Sequence, residues 1–404
     1  MRSGIVAVLG IFALNGVVFG SWAPRVPALA AQVGAAEGAL GLSLLGASIG
    51  MIIAASLTGR LCARFGARVV VAVSGLAGCA LLPLLGLART PVQLGLILVF
   101  LGAAVGALDV SMNIAAVTAI RRSGRAIMPV FHAGFSFGGL LGSTGAALAA
   151  GHDLSPLRHL SIAAVVGILI ALAFVRWIPV EDLVPPADRT EPNRSLVKRP
   201  VLWLLGLIAL CSSVAEGASV DWSAFFGVHQ RGLTEAAGAL VYTGFSLAMA
   251  IMRLLGERIE TRWGSVRMLI GGATTAAIGL FVAILVPVQA FTYIGFGLAG
   301  IGLAYGFPVA LELAGAVGRR ADGGGGEREL AFVTTIAYSG FLIGPPMVGG
   351  IASLTSLPIS LGVVALVAWA IAPLAIAATR ARHREQKTHL EQVSPAGANP
   401  GSTG

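Results

Sequence analysis

The most regular pattern along this chain of 404 residues is a series of apolar runs of about 20 residues, separated by short polar segments. About that many helical residues cross a hydrocarbon core roughly 30 Å thick. Each crossing must be helical, because lipid offers no partner to open backbone groups. The pattern predicts an all-α integral membrane protein with twelve transmembrane helices. The predicted spans are 4–22, 38–57, 69–87, 92–117, 129–150, 158–178, 201–226, 236–256, 266–287, 291–316, 330–352 and 357–378.

The composition supports this class and narrows the partners. Charged residues make up 11% of the chain, less than half the roughly 25% of soluble domains. A net charge of +9 could indicate a nucleic-acid partner, but the positive residues fall in short loops between spans. Such loops orient a membrane protein, so we expect contact with the lipid bilayer and none with nucleic acid.

The basic residues also predict the orientation and the domain limits. If the N-terminus is cytoplasmic, 23 of the 27 Lys and Arg residues lie on the cytoplasmic side and four outside, which predicts N-in and C-in. Two six-helix halves, 1–179 and 201–378, flank a polar cytoplasmic linker at 180–200. The segment 379–404 is basic and then rich in Pro, Gly and Ser, which predicts a disordered cytoplasmic tail.

The two halves carry similar motifs. Asp109 lies in an apolar stretch of the fourth predicted span, and Glu312 takes the matching place in the tenth, 203 positions later. Likewise, Arg-Phe-Gly at 64–66 is matched by Arg-Trp-Gly at 262–264. Two related halves with an acid at corresponding positions indicate a site between the halves, as in secondary transporters.

Asp109 is the strongest candidate for a functional residue among the four acids inside the predicted spans. An intramembrane charge costs about 2.5–3.5 kcal/mol on insertion scales, so it needs a reason. Asn113 follows one helical turn later on the same face and is a candidate substrate-binding residue. Asp109 is either a protonatable carboxylate in a water-filled cavity or a hydrogen-bonded acid that locks helix packing.

Other polar residues within the spans have two interpretations each. Glu216 follows a stretch of small residues in span seven and contacts either substrate and proton or a neighbouring helix. Asp221 and Trp222 lie nearer the outer interface, where they bind substrate or where the Trp anchors the helix. Asn15 and His132 can hydrogen-bond a polyol or satisfy neighbouring groups.

Candidate gating residues lie near the cytoplasmic ends of the spans. Arg64, Arg68 and Arg125 either determine topology or latch an inner gate by binding the carbonyl ends of helices.

Glu312 is the fourth candidate gating residue. It either takes part in the gate or forms an interfacial ion pair with Arg319 or Arg320. Pro308, one turn earlier, can kink its helix.

No motif indicates an enzyme. The sequence has no nucleophile–base pair, metal-ligand spacing or cofactor motif, and no phosphate-binding loop follows the glycines at 323–326. The three cysteines form no disulfide framework. We therefore expect no cofactor, with the proton as the coupling ion.

Twelve spans as six plus six, with Gly59, Arg64, Gly66 and Arg68 in the loop after span two, resemble the major facilitator superfamily over about residues 4–378. The family usually has an Asp in this loop, where this chain has Ala63, with Thr261 at the repeat position. The resemblance implies a monomeric transporter that works by alternating access.

Within the superfamily, the chain looks most like the bacterial branch related to fucose permease. The similar motifs include Asn15 and the segments 21–27, 106–113, 124–139 and 216–222. The resemblance implies proton-coupled uptake of a sugar-like solute across the bacterial inner membrane, with Asp109 as the coupling acid. A proton-driven efflux antiporter is the alternative, although the Gly-Pro pattern of such antiporters is missing from span five.

Overall fold

The computed structural model describes residues 2–123, 127–180, 194–318 and 326–393, and these residues are almost entirely helical. A 3₁₀ turn, Ala23–Arg25, follows the first helix. The helices are α1 (Arg2–Trp22), α2 (Val26–Val33), α3 (Glu37–Phe65), α4 (Ala67–Leu85), α5 (Pro91–Ser123), α6 (Met128–Gly151), α7 (Pro156–Val175), α8 (Arg194–Val197), α9 (Pro200–Arg231), α10 (Glu235–Trp263), α11 (Ser265–Leu285), α12 (Gln289–Leu303), α13 (Gly306–Gly318), α14 (Glu327–Leu354) and α15 (Leu357–Val393).

Twelve segments in the described parts of the chain are long and apolar enough to cross a membrane, which confirms the predicted number. Span one comprises α1 and α2, and span ten comprises α12 and α13. The short α8 precedes span seven, and every other span is one helix.

Two boundaries differ markedly from the sequence prediction. Span one does not end at 22 but continues through the 3₁₀ turn to Val33, so Arg25 is buried rather than placed in an outer loop. The last helix runs to Val393, so the first part of the predicted disordered tail is helical. Residues 181–193 of the predicted linker and 394–404 of the tail lie outside the described residues.

The turns of the two halves repeat at a constant distance. Gly34 and Gly232 end spans one and seven with φ of 64°, and Gly66 and Gly264 connect spans two to three and eight to nine with φ of 83° and 77°. Within each pair the members are 198 residues apart in the sequence. Only glycine adopts positive φ at little cost, so these positions fix the same reversal twice.

Small residues bring two helices of the N-terminal half close together. A Cβ on Gly50 would overlap the carbonyl of Val99, and one on Gly102 would overlap the carbonyl of Ala47. Gly102 and Gly106, which precede Asp109 on α5, therefore let this helix pack closely on α3. This leaves the Asp109 side chain on a neighbouring, exposed part of α5.

The two halves meet most closely at the end of the bundle away from the chain termini. A Cβ on Gly349 of α14 would lie 2.5 Å from the carbonyl oxygen of Glu37 and 2.9 Å from the Cα of Gly41, both on α3. Nearby, the side chain of Arg25 is 2% exposed. Its Nη2 donates to the carbonyl of Leu154 at 2.7 Å and lies 3.6 Å from the carboxylate of Glu235 on α10. We call this the closed end.

At the opposite end, which carries the termini, the halves separate. The part of α3 beyond Met51 is exposed at most positions, with only Thr58 and Cys62 buried. A helix exposed on several faces has lost its facing partner on at least one side. Part of this exposure is the lipid-facing surface, but exposure on several faces exceeds what lipid contact alone requires. We infer that the bundle opens a central cavity toward the termini, which is the cytoplasmic side in the predicted orientation.

The glycine contact at the closed end should control the conformation. Gly349→Leu overpacks the contact between α14 and α3, a change that typically costs about 1–3 kcal/mol. The closed arrangement should therefore lose population roughly 5- to 150-fold relative to its alternative. Arg89 lies in the loop before α5 and Ala290 in the first turn of α12, and both are exposed at this end. Spin labels at these two positions should report longer distances in a background without the native cysteines.

Gly350→Leu is the matched control, because a Cβ at this position meets nothing within 4 Å. Equal distance distributions for Gly349→Leu and the unsubstituted protein would show that this contact does not hold the end closed.

Candidate functional site

Asp109 faces the central cavity. It lies near the middle of α5, and its side chain is exposed. Its charge reaches the hydroxyl of Tyr338 on α14, which belongs to the other half. Asn113 shares its face, as predicted, and donates from Nδ2 to the Asp109 main-chain carbonyl at 2.8 Å. Asp109 has no basic partner within 4 Å among the described residues.

A second polar group lies across the cavity, at a similar depth. Arg253 of α10 holds both carboxylate oxygens of Glu216 on α9, each 3.0 Å from Nη2. The Glu216 side chain is mostly buried, whereas the Arg253 side chain is 43% exposed. This is an ion pair with one side open to the cavity.

A proline orients Arg253. Pro308 has no N–H to donate, so the carbonyl of Ala304, four residues earlier, has no helical partner. The helix breaks there between α12 and α13, and Arg253 Nε donates to this carbonyl at 3.3 Å. Tyr305 fixes the same junction by donating from its hydroxyl to the carbonyl of Met252 at 2.6 Å. The predicted kink near Pro308 is therefore part of the site.

His132 of α6 completes this second group from the N-terminal half. Its ring is exposed and stands edge-on against Phe12, with the ring centroids 5.3 Å apart. It lies within electrostatic reach of Arg253. Glu216, Arg253 and His132 thus bring together groups of both halves, as Asp109 and Tyr338 do.

The base of the cavity is marked by one hydrogen bond between the halves. Ser48 of α3 donates from Oγ to the carbonyl of Phe341 on α14 at 2.9 Å. Pro345 leaves this carbonyl without a helical donor, as Pro308 does for Ala304. Tyr338 is one turn closer to the open end, so the site lies directly above this contact.

Three predicted substrate residues lie away from the open surface. Asn15 is 1% exposed, with its Nδ2 3.7 Å from the sulfur of Met112. Trp222 is fully buried against Phe225, so it is not an interfacial anchor. Asp221 is half-buried and interacts electrostatically with the buried Tyr242. Substrate contact by these three residues stays a prediction.

The predicted gating residues form no contact between the halves that the structure describes. Arg64 is exposed and lies over the ring of its neighbour Phe65. Arg68 donates from Nε to the carbonyl of Ile178 at 2.8 Å, as predicted for a carbonyl end, but within its own half.

The remaining gating predictions involve undescribed positions. Glu312 is exposed, and its predicted partners Arg319 and Arg320 lie outside the described residues, as does Arg125.

Sequence reasoning missed Arg253 and Tyr338. Arg253 falls inside the eighth predicted span, so the argument that an intramembrane charge needs a reason applied to it as well as to the acids. Arg253 is also one of the 23 basic residues that predict the orientation. Tyr338 gave no such signal, because tyrosine is common in membrane helices.

In the parts of the chain that the structure describes, no three His, Cys, Asp or Glu side chains come close enough to hold a metal ion. The site therefore consists of ionisable and hydrogen-bonding side chains facing each other across the cavity.

Comparisons with known proteins agree with this architecture. The chain is 35% identical over 369 residues to an uncharacterized MFS-type transporter of Yersinia pestis, covering 91% of this chain and 94% of the relative. The crystal structure of the nucleoside transporter NupG matches with a TM-score of 0.72 at 15% identity, covering 94% of this chain and 99% of NupG. A bacterial homolog of the lysosomal transporter Spinster, in an inward-facing and unoccupied conformation, matches with a TM-score of 0.68 at 14% identity, covering 97% and 98%.

At these identities the two structures establish the fold alone, and the assignment to the fucose-permease branch stays a prediction. The relatives are bacterial, in agreement with a multi-pass protein of the inner membrane. The family model of the Major Facilitator Superfamily matches residues 8–316 and again 228–399. The chain therefore belongs to the major facilitator superfamily and is a membrane transporter of small molecules rather than an enzyme.

Proposed function

We propose that this transporter couples the movement of a small polar, sugar-like solute to protons by alternating access of its two halves. The observation that carries the proposal is the pair of polar groups facing each other across one cavity: Asp109 with Tyr338, and Glu216–Arg253 with His132. Each group draws on both halves, so rocking of one half against the other changes both.

Asp109 is proposed as the proton carrier. It is exposed to the cavity, and no basic side chain among the described residues compensates its charge. In a low-dielectric span a proton is then the simplest means of neutralising the carboxylate. Binding of a proton with one side open, and release with the other side open, would couple the gradient to transport.

Glu216, Arg253 and His132 are proposed to bind the solute. A hydroxyl group can donate to the Glu216 carboxylate and accept from the Arg253 guanidinium, so a polyol fits between them. The exposed side of Arg253 gives access from the cavity. Because Arg253 already neutralises Glu216, we assign Glu216 mainly to solute binding. Glu216 would take part in proton coupling only when Arg253 turns away from it toward the solute.

The range of solutes to test follows from this chemistry. Sugars and polyols are first, and nucleosides are included because the structurally similar NupG is a nucleoside transporter. The efflux alternative shares the cavity, but α6 has its proline only at its first turn and lacks the Gly-Pro pattern of drug–proton antiporters.

The gate is proposed to comprise two layers. Arg25, Glu235 and the α3–α14 glycines seal the closed end. Arg64, Arg68, Arg125 and Glu312 are proposed to meet at the other end when the transporter faces outward.

The decisive test is proton movement in right-side-out vesicles that contain the protein, while hexoses, deoxyhexoses, polyols, sugar acids and nucleosides are added in turn. External alkalinisation with one compound supports symport and identifies the solute class. Asp109→Asn should abolish accumulation of that compound while leaving exchange across the membrane, because the amide cannot carry a proton. Asp109→Glu, which keeps a carboxylate, is the control.

Accumulation by the Asp109→Asn protein against a gradient would exclude Asp109 as the coupling acid. No response to any compound in the panel, together with solute-driven proton release in inverted vesicles, would favour efflux instead.

The substitution Arg253→Lys tests whether solute binding requires the two hydrogen-bonding nitrogens of Arg253, Nε and Nη2. Lysine keeps the charge but cannot hold the Ala304 carbonyl and Glu216 together, because it lacks the planar fork of guanidinium. The loss of one hydrogen bond to a charged group, about 1.5–3 kcal/mol, predicts a KM raised roughly 10- to 150-fold for the compound identified in vesicles.

Arg258→Lys is the matched control, since Arg258 lies on the same helix and is exposed. If Arg253→Lys and Arg258→Lys have the same KM, Arg253 does not orient the solute.

A further inference from the structure

A cavity of about 280 Å³ lies apart from the central site, at the end of the N-terminal half that carries the chain terminus. It is bounded by the beginning of α1, the beginning of α4, the end of α5 and the segment after α7. Its volume is just below the roughly 300–1,000 Å³ of typical small-molecule pockets, so it suits a compact group.

Three arginines, Arg68, Arg122 and Arg176, line this cavity. Arg68 donates to the carbonyl of Ile178 and Arg122 to that of Val180, so each is fixed at the rim. Among the described residues, none of the three has a carboxylate within 4 Å. Three positive charges at one cavity repel each other, and an anion between them would relieve this repulsion.

The backbone adds to the positive potential. Ser3, Gly4 and Ile5, in the first turn of α1, also line the cavity. The first four N–H groups of a helix have no partner within the helix and favour anions, phosphate above all. The arginines and this helix end therefore act on the same space.

Exposed apolar residues flank the mouth of the cavity. The exposed apolar residues of α7 follow one another at helical spacing: Ile162, Val166, Leu169 and Leu172. The same stripe continues to Arg176 and Trp177, and the Trp177 side chain is 51% exposed. Arg176 lies over the Trp177 ring at 5.2 Å. On the other side of the cavity, Val69 and Val73 of α4 are exposed next to Arg68.

We propose that this cavity binds the phosphate headgroup of an anionic phospholipid of the membrane leaflet at this end. Guanidinium groups match the geometry of phosphate oxygens, and basic residues at the membrane surface favour anionic lipid. An exposed tryptophan at the same level is typical of the headgroup region. The site is separate from the central cavity, so it does not depend on the proposed substrate or on proton coupling.

The test is native mass spectrometry of the purified full-length protein with added phosphatidylglycerol, and with phosphatidylcholine as the neutral lipid. The wild-type protein should retain one phosphatidylglycerol in preference to phosphatidylcholine. The double variant Arg122→Gln/Arg176→Gln should bind phosphatidylglycerol at least about tenfold more weakly, since each basic residue near the surface contributes about a factor of five.

The double variant Arg258→Gln/Arg262→Gln is the matched control. It removes two exposed arginines at the same end of the bundle, beside the exposed Trp263, but outside the cavity. Its phosphatidylglycerol affinity should change less than twofold. Arg122→Lys/Arg176→Lys should restore most of the binding, and unchanged gel-filtration profiles will show that all variants remain folded.

Three results would overturn the proposal. The first is equal weakening in the cavity and control variants, which would reduce the effect to general surface charge. The second is displacement of phosphatidylglycerol by inorganic phosphate at similar concentration, which would assign the cavity to a free phosphate. The third is lipid binding that emerges only after neutralising Glu181 and Asp182, which follow Val180 in the sequence, since the chain's own carboxylates would then be the occupant.

Discussion

The constraint on which this structure depends is that lipid cannot satisfy a backbone carbonyl. Helices meet this requirement internally except where a proline removes a donor. At Pro308 and Pro345, the freed carbonyls of Ala304 and Phe341 accept from Arg253 and Ser48. The first bond orients an arginine in the central cavity, and the second joins the two halves at its base. The need of these free carbonyls for hydrogen-bond donors thus places polar side chains at the cavity, where a solute can contact them.

Small residues determine where the halves can approach each other. The contact of Gly41 with Gly349 brings α3 and α14 together at the closed end, and the deeper parts of the same helices diverge. Ser48 and Phe341 lie between this contact and the cavity, so their hydrogen bond would respond to any rocking of one half against the other.

The charges are distributed according to their surroundings. Arg25 is buried at the closed end, where it donates a hydrogen bond to the Leu154 carbonyl and forms an ion pair with Glu235. Glu216 is neutralised by Arg253 in the centre. Among the described residues, Asp109 has no basic partner, and Arg68, Arg122 and Arg176 line their cavity without a carboxylate within 4 Å. The first two are thus internally compensated, whereas the last two are open to a proton or an anion from outside the chain.

The sequence by itself determined the twelve helices, the duplication and the position of Asp109. These follow from local quantities: the length of apolar runs, the recurrence of glycine turns and the cost of a charge in lipid. The same reasoning could have singled out Arg253, which also lies inside an apolar run. The proximity of Asn113 to Asp109 was predictable too, because residues four positions apart lie on the same face of a helix.

Only the tertiary structure decided which polar groups meet. The burial of Asn15 and Trp222, the pairing of Arg253 with Glu216, and the electrostatic interaction of Tyr338 with Asp109 depend on how helices distant in sequence pack together. Helical periodicity gives the face of a side chain but not the neighbour opposite it. The continuation of span one through Arg25 and the cavity of the three arginines also arise from packing between segments, which no local pattern encodes.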